Sequence, residues 1–267
     1  MVAMSELELG PKGRTSHAAC RDDEYKDKFY IFGGSGKNIG FENYNDLWYF
    51  DFATLKFTEI LVGKASAYRP PGMYGHSLTF FSGSLYVFGG TTGFEYFKDI
   101  FKFDLHSFQW QKLQVYGSSD LEPRYKHSTV LNSDDKKLII IGGLNQSTRL
   151  GSVFEFNFDK RQWSPLQLNK NKHLFKGRYG HTAHLVEGNK QILIFGGTEE
   201  EQKNDLIRFD IVSGNFHKVH VPYAEETAPS QRDFHVSIMS QNETAMYVIG
   251  VNYFLGVIFL FRGLIKR

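Results

Sequence analysis

Five short apolar runs ending in glycine recur along the chain: FYIFGG at 29–34, LYVFGG at 85–90, LIIIGG at 138–143, ILIFGG at 192–197 and MYVIG at 246–250. A continuous apolar run this short predicts a strand buried on both faces. Behind the first four comes a second kind of segment: DLWYFD from Asp46, DIFKFD from Asp99, SVFEFN from Ser152 and DLIRFD from Asp205, each starting 53 residues after the last. These segments alternate. In DIFKFD, Ile100, Lys102 and Asp104 face one way and Phe101 and Phe103 the other, which is the two-residue period of a strand. Single aromatics at Phe57, Trp110, Trp163 and Phe216 keep the same interval. Ahead of each apolar run stands a histidine (His17, His76, His127, His181, His235), with arginine three places earlier at Arg14, Arg124, Arg178 and Arg232, and Met73 there in the second copy.

A register held over four copies marks a repeat architecture. Each unit reads as four strands: A after the Arg-x-x-His element, B the apolar run, C the alternating segment, and D the lone aromatic. Turn-forming stretches such as Ser82-Gly83-Ser84, residues 132–137 and Glu187-Gly188-Asn189 separate them. No stretch has a helical period of useful length. A four-stranded sheet of this size cannot cover its own faces, whereas radially arranged sheets cover one another and protect most of their edges. The expected fold class is therefore all-β, a β-propeller of about five four-stranded blades in a single domain spanning 1–267. Its repeats fall at about 10–60, 61–115, 116–168, 169–221 and 222–261. Phe57, Trp110, Trp163 and Phe216 are expected to fill the layers between blades, each burial contributing roughly 1.5–3 kcal/mol. A counterpart of Phe216 in the fifth unit would fall beyond Arg267, so the last blade is expected to be incomplete. The alternating Glu6-Leu7-Glu8-Leu9 is the strand expected to close it, since an open edge invites aggregation.

Composition narrows the function classes. A net charge of +2, from 31 basic and 29 acidic residues, lacks the basic surface that nucleic acid requires. The single cysteine, Cys20, excludes an internal disulfide and fits a reducing compartment, so a cytoplasmic or nuclear location is expected. Residues 1–9 lack the basic and apolar regions of a signal peptide. Residues 244–261 form an eighteen-residue stretch without charge, long enough for a membrane helix, but Asn252 and the in-register apolar segments at 246–250 and 257–261 favour two strands.

The combination Arg-x-x-His, apolar-Gly-Gly, Asp-Leu-aromatic-x-aromatic-Asp and a late Trp resembles the kelch repeat, over 14–250. The segments DLWYFDFAT, GSLYVFGGTTG and EPRYKH are similar to a subgroup of that family whose members are substrate receptors of cullin-2 ubiquitin ligases reading C-terminal degrons. That resemblance implies a protein-binding adaptor engaging a cullin-2/elongin complex. The subgroup carries six blades and an elongin-binding box after the propeller; five units are counted here. A general kelch scaffold in trafficking or cytoskeletal contacts, or a truncated isoform, are the alternatives.

In an up-and-down blade the B–C and D–A connections share one face, and long loops on a rigid scaffold carry recognition. Arg14, Arg124, Arg178 and Arg232 enter on that face, accompanied by Tyr74, Tyr125, Tyr179 and Phe234. Guanidinium forks beside tyrosines suit an acidic loop or a C-terminal peptide. The competing reading has the arginines pairing with strand C acids such as Asp51, Asp104 and Asp210, or capping loop carbonyls. Lys37, Tyr96 and Arg149 are loop residues outside the repeat pattern and complete the candidate ligand-binding face. No enzyme is expected. There is no phosphate loop, Cys-x-x-Cys pair or nucleophile elbow, Cys20 is placed in a charged A–B turn, and His181 and His184 point to opposite faces of a strand. Neither cofactor nor metal is expected. Removing residues 1–9 should lower the melting temperature sharply if they close the last blade, and thermal denaturation of the shortened chain checks this.

Overall fold

The computed structural model describes residues 10–22, 24, 27–62, 68–117, 119–169, 171–220, 229–250 and 257–262, the last of these by backbone alone. The closing strand expected at 6–9 lies outside the described residues. The chain divides into two compact units, 1–115 with 122–125, and 116–121 with 126–267.

The first unit holds two antiparallel meanders. β1 (Ala18–Arg21), β2 (Lys28–Phe32), β3 (Leu47–Asp51) and β4 (Lys56–Glu59) pair in chain order, as do β5 (Ser77–Phe81), β6 (Ser84–Phe88), β7 (Ile100–Asp104) and β8 (Gln109–Lys112). In the second unit β9 (Ser128–Asn132), β10 (Lys137–Ile141), β13 (Val153–Asn157) and β14 (Gln162–Pro165) form one sheet. The hairpin β11 (Leu144–Asn145) and β12 (Thr148–Arg149) rises from its B–C connection. A second sheet follows from β15 (Thr182–Val186), β16 (Gln191–Phe195), β17 (Leu206–Asp210) and β18 (Asn215–Lys218), after a single 3-10 turn at Lys172–Leu174. β19 (Val236–Met239), β20 (Ala245–Gly250) and β21 (Val257–Arg262) make a three-stranded sheet. The expected all-β propeller blades are present, four complete and one of three strands. The apolar segments at 245–250 and 257–262 are paired strands, and no helix among the described residues is long and apolar enough to cross a membrane.

The 53-residue period has a direct physical basis. Strand C and strand D place an aromatic pair opposite each other in every complete blade: Phe50–Phe57, Phe103–Trp110, Phe156–Trp163 and Phe209–Phe216. Their ring centroids lie 4.7–5.0 Å apart. Cross-strand aromatic pairs of this kind stabilise a sheet beyond their burial. Trp110, Trp163 and Phe216 are buried as expected, whereas Phe57 is exposed. The trailing acid of strand C shapes the turn that follows. Asp51, Asp104 and Asp210 accept bonds from the amides of Thr54, Ser107 and Ser213, and Leu55, Phe108, Arg161 and Gly214 then take positive φ four residues after strand C ends. These acids are thus Asx-turn caps and do not pair with the arginines.

Neighbouring blades are stitched through the glycine pairs. The amide of the second glycine donates to the carbonyl at the next arginine position: Gly34 to Met73, Gly90 to Arg124, Gly143 to Arg178 and Gly197 to Arg232, each at 2.8 Å. Gly196 and Gly197 have φ of 64° and 86°. A Cβ on Gly196 would strike the Arg232 carbonyl and the His235 ring, and one on Gly197 would strike His181. Only glycine tolerates both the conformation and the close approach. His76 and His235 are therefore wedges between blades: Nε2 of His76 lies 3.1 Å from the Phe32 carbonyl, and Nε2 of His235 lies 2.9 Å from the Thr182 hydroxyl. His184 reaches the Ser237 hydroxyl at 2.7 Å, while His181 packs on Phe175 from the other side of its sheet.

Burial keeps these imidazoles neutral, lowering the pKa of His76, His184 and His235 to about 4 and of His181 to about 3. The unfolded chain, with ordinary histidines, takes up protons below about 6.5 that the folded chain refuses. Stability is therefore complete above that pH and is lost as pH falls toward about 4, with a limiting slope of ~1.4 kcal/mol per pH unit for each histidine. Urea unfolding between neutral pH and pH 5 is expected to show this loss, and a His76→Gln/His235→Gln double variant a shallower one.

Candidate functional site

The four arginines are turned into the protein. Arg14 holds Asp46 in a two-pronged contact at 2.6 and 2.8 Å, donates to the Gly33 carbonyl at 2.9 Å and stacks on Tyr44. Arg178 repeats this on Asp205 at 2.7 and 3.1 Å and on the Gly196 carbonyl, and adds Glu199 at 2.7 Å. Burial opposes its charge, but the hydrogen bonds and charges of Asp205 and Glu199 outweigh that and raise its pKa. Arg232 donates to the Gly250 carbonyl and to Ser230. Arg124, fully buried, donates to the Glu122 carbonyl, and burial lowers its pKa to about 10 against the charge of Glu122. The acids engaged are those that open strand C, Asp46 and Asp205, not Asp51, Asp104 and Asp210. Where Met73 replaces arginine, its side chain joins the apolar core, and Asp99 pairs with Lys112 at 2.9 Å instead.

The arginine elements nonetheless organise the loop face. The residue after the arginine position bridges to the residue after the glycine pair, which bridges on to the B–C loop: Thr15–Ser35–Asn43, Tyr74–Thr91–Tyr96 and Tyr179–Thr198–Gln202. In the first unit this gathers Tyr74, Tyr96 and Tyr125, with centroids of Tyr125 at 6.3 Å from Tyr74 and 5.4 Å from Tyr96. Beside them two loops are pinned together by Asn43, whose amide donates to the Gly40 and Thr92 carbonyls. That clasp presents Phe41 and Phe94, 83% and 76% exposed, edge to face at 6.0 Å, with exposed Ile39 alongside. Lys37 is exposed on the same loop.

In the second unit Tyr179 lies 5.9 Å from Phe234, and the Lys126 ammonium sits over both rings at 5.5 and 4.7 Å. Burial lowers the pKa of Lys126 against the charge of Asp233, which accepts from Thr198 and Gln202. Phe234 does not align with the tyrosines: Asp233 holds that position, and Phe234 falls where Gly75 and Gly180 sit, with φ of 53°. The left-handed conformation belongs to the repeat itself, since Ser16, Gly75, Lys126 and Gly180 hold it at the same position with φ of 52°, 68°, 56° and 65°. Arg149 is exposed on β12, paired with Leu144 at the open end of the β11–β12 hairpin.

Sequence reasoning missed Ile39, Phe41, Phe94, Lys126 and Asp233. The available signal was large apolar side chains inside glycine- and asparagine-rich loops, where solubility alone disfavours them. Cys20 lies within β1 opposite Tyr30 rather than in the A–B turn. No group of three or more His, Cys, Asp or Glu among the described residues is placed to hold a metal ion.

Removing one partner of a buried ion pair strands the other, at about 3–5 kcal/mol. Arg178→Met should accordingly lower stability by about that amount in urea unfolding, while Arg149→Met and Lys37→Met leave the midpoint unchanged.

Residues 5–174 match the KLHDC2/KLHL20/DRC7 Kelch-repeats domain. Kelch domain-containing protein 10 of Rattus norvegicus is 28% identical over 224 residues, 82% of this chain and 52% of its own length; that of Homo sapiens is 27% identical over the same share and 48% of its length. Adagio-like protein 1 of Oryza sativa subsp. japonica is 30% identical over 203 residues, 73% of this chain and 30% of its own. The chain thus spans about half the length of the kelch domain-containing proteins it matches, or less of more distant relatives. With its arginine-glycine stitches, aromatic strand pairs and paired loops, the chain belongs to the kelch-repeat family, whose β-propeller is a protein-interaction fold.

Proposed function

We propose that this chain is the recognition propeller of a cullin-RING ubiquitin ligase, capturing a substrate protein on its loop face as an adaptor subunit. The observation that carries the binding reading is the aromatic surface on pinned loops: Phe41 and Phe94 with Tyr74, Tyr96 and Tyr125 in the first unit, Phe234 and Tyr179 in the second. Rigid aromatics on ordered loops supply contact area at low entropic cost and dominate protein interfaces. Similarity to kelch domain-containing protein 10 supports the adaptor assignment. With Arg14 and Arg178 committed to Asp46, Asp205 and Glu199, the partner is held chiefly by these rings. Lys37, Lys126 and Arg149 are the cations placed to meet an acidic segment or a C-terminal carboxylate.

Affinity purification from cells followed by mass spectrometry tests both levels. Cullin-2 and elongin subunits are expected with the wild-type chain. A Phe41→Ser/Phe94→Ser/Phe234→Ser variant should keep its melting temperature and the ligase subunits but lose substrate proteins. Substrates retained by that variant would refute the aromatic face, and partners without any ligase subunit would refute the adaptor role.

A further inference from the structure

The residue after the glycine pair folds the B–C loop that follows it, and in the first unit it does so twice in the same way. The buried Ser35 hydroxyl accepts from the Gly40 amide and donates to the Glu42 carbonyl, both at 3.1 Å. The buried Thr91 hydroxyl accepts from the Gly93 amide at 2.9 Å and donates to the Glu95 carbonyl at 2.6 Å. In each loop one phenylalanine stands between the two bonded groups, Phe41 in Gly40-Phe41-Glu42 and Phe94 in Gly93-Phe94-Glu95. The loops differ in length, yet each hydroxyl delivers its ring to the same place in the bonded turn.

Asn43 joins the two loops. Its amide nitrogen donates to the Gly40 carbonyl of its own loop at 3.2 Å and to the Thr92 carbonyl of the next at 2.7 Å. Other copies also reach forward from this bridged position: Tyr96 packs its ring 5.4 Å from that of Tyr125, and Gln202 donates to Asp233. Of the three, Asn43 takes hold of the next B–C loop itself. The loops then meet glycine to glycine, since a Cβ on Gly93 would stand 3.1 Å from the Gly40 Cα. Gly72 backs Asn43 so closely that a Cβ there would strike the Asn43 carbonyl. Phe41 and Phe94 consequently touch edge to face while both remain largely exposed.

We propose that Asn43 is the positioning residue that turns these loops into one apolar prong, and that the partner protein receives the prong in an apolar cleft. This deepens the functional reading above and rests on the loop face being the recognition surface. Rings this exposed have no walls of their own, so the walls that bury them come from the partner. Lys37 and Glu42 on one loop and Glu95 and Lys98 on the other leave the prong without net charge. Apolar burial, not charge, therefore selects the cleft. Holding the two rings in contact before binding removes the cost of ordering them on it. The Asn43 amide oxygen is buried, so a carboxylate at this position would be desolvated and would oppose the two carbonyls that the amide now holds.

Hydrogen exchange read by mass spectrometry on the full chain tests the prong without a partner. Asn43→Asp should speed exchange of the Gly93 and Phe94 amides, which lie in the other loop, by roughly tenfold or more. Asn43→Ala, which adds no charge, should do the same with little change in melting temperature, and it serves if Asn43→Asp fails to fold. In affinity purification Asn43→Ala should lose the substrate proteins that Phe41→Ser/Phe94→Ser loses, although both rings are present. Photoreactive benzoylphenylalanine placed at Phe41 or at Phe94 should cross-link to apolar residues of one cleft in the same substrate. Three results overturn the inference: unchanged exchange at Gly93 and Phe94, full capture by Asn43→Ala, or cross-links from the two positions to separate sites. Wild type that captures no substrate instead refutes the recognition reading, and the exchange measurement then decides by itself whether Asn43 joins the loops.

Discussion

Each sheet in this protein is too thin to exclude water from both its sides, so the structure depends on how one sheet is fastened to the next. The fastening is a backbone hydrogen bond from the second glycine of one blade to the carbonyl at the arginine position of the following one, with a histidine ring laid against the first glycine. Both parts require the absence of a side chain. The bond brings two main chains together where a Cβ would collide, and its donors and acceptors lie where unpaired polar groups would be costly. Apolar strands B and the aromatic pairs of strands C and D then supply the burial that the thin sheets lack singly.

The same arrangement decides what chemistry remains for a partner. Arg14 and Arg178 fasten strand C to the end of strand B within their own blades, each closing on a carboxylate and a glycine carbonyl. Guanidinium groups so engaged are structural cations. The surface left to solvent is instead built from rings on loops that are bridged to the fastened segments. A rigid framework beneath and exposed aromatics above is the combination that gives an interface specificity without large ordering costs. The positive φ of Phe234 is shared by Ser16, Gly75, Lys126 and Gly180 at the same place in the other copies, so it is the turn by which each repeat enters strand A.

Much of the fold was legible because the repeat makes four statements of the same physical problem. Strand order, the glycine pairs, and the burial of Trp110, Trp163 and Phe216 follow from spacing and apolar pattern, since every copy must present the same faces to its neighbours. Legibility failed where two residues of one type stood close together in sequence. Asp46 and Asp51 both flank strand C, and only the direction in which each side chain leaves the strand sends one to Arg14 and the other into a turn. It failed again where a copy has an unusual neighbour: Phe57 has the same spacing as Trp110 but not the same cover.

The sequence by itself determined that this is an all-β repeat protein with blades of four strands, because periodicity and turn chemistry are local properties of the chain. Only the tertiary structure decided that the arginines point inward and that Phe41 and Phe94 meet across two loops 53 residues apart. These are facts about which surfaces find a partner. Burial depends on what arrives from elsewhere in the chain, and no local pattern of residues records that.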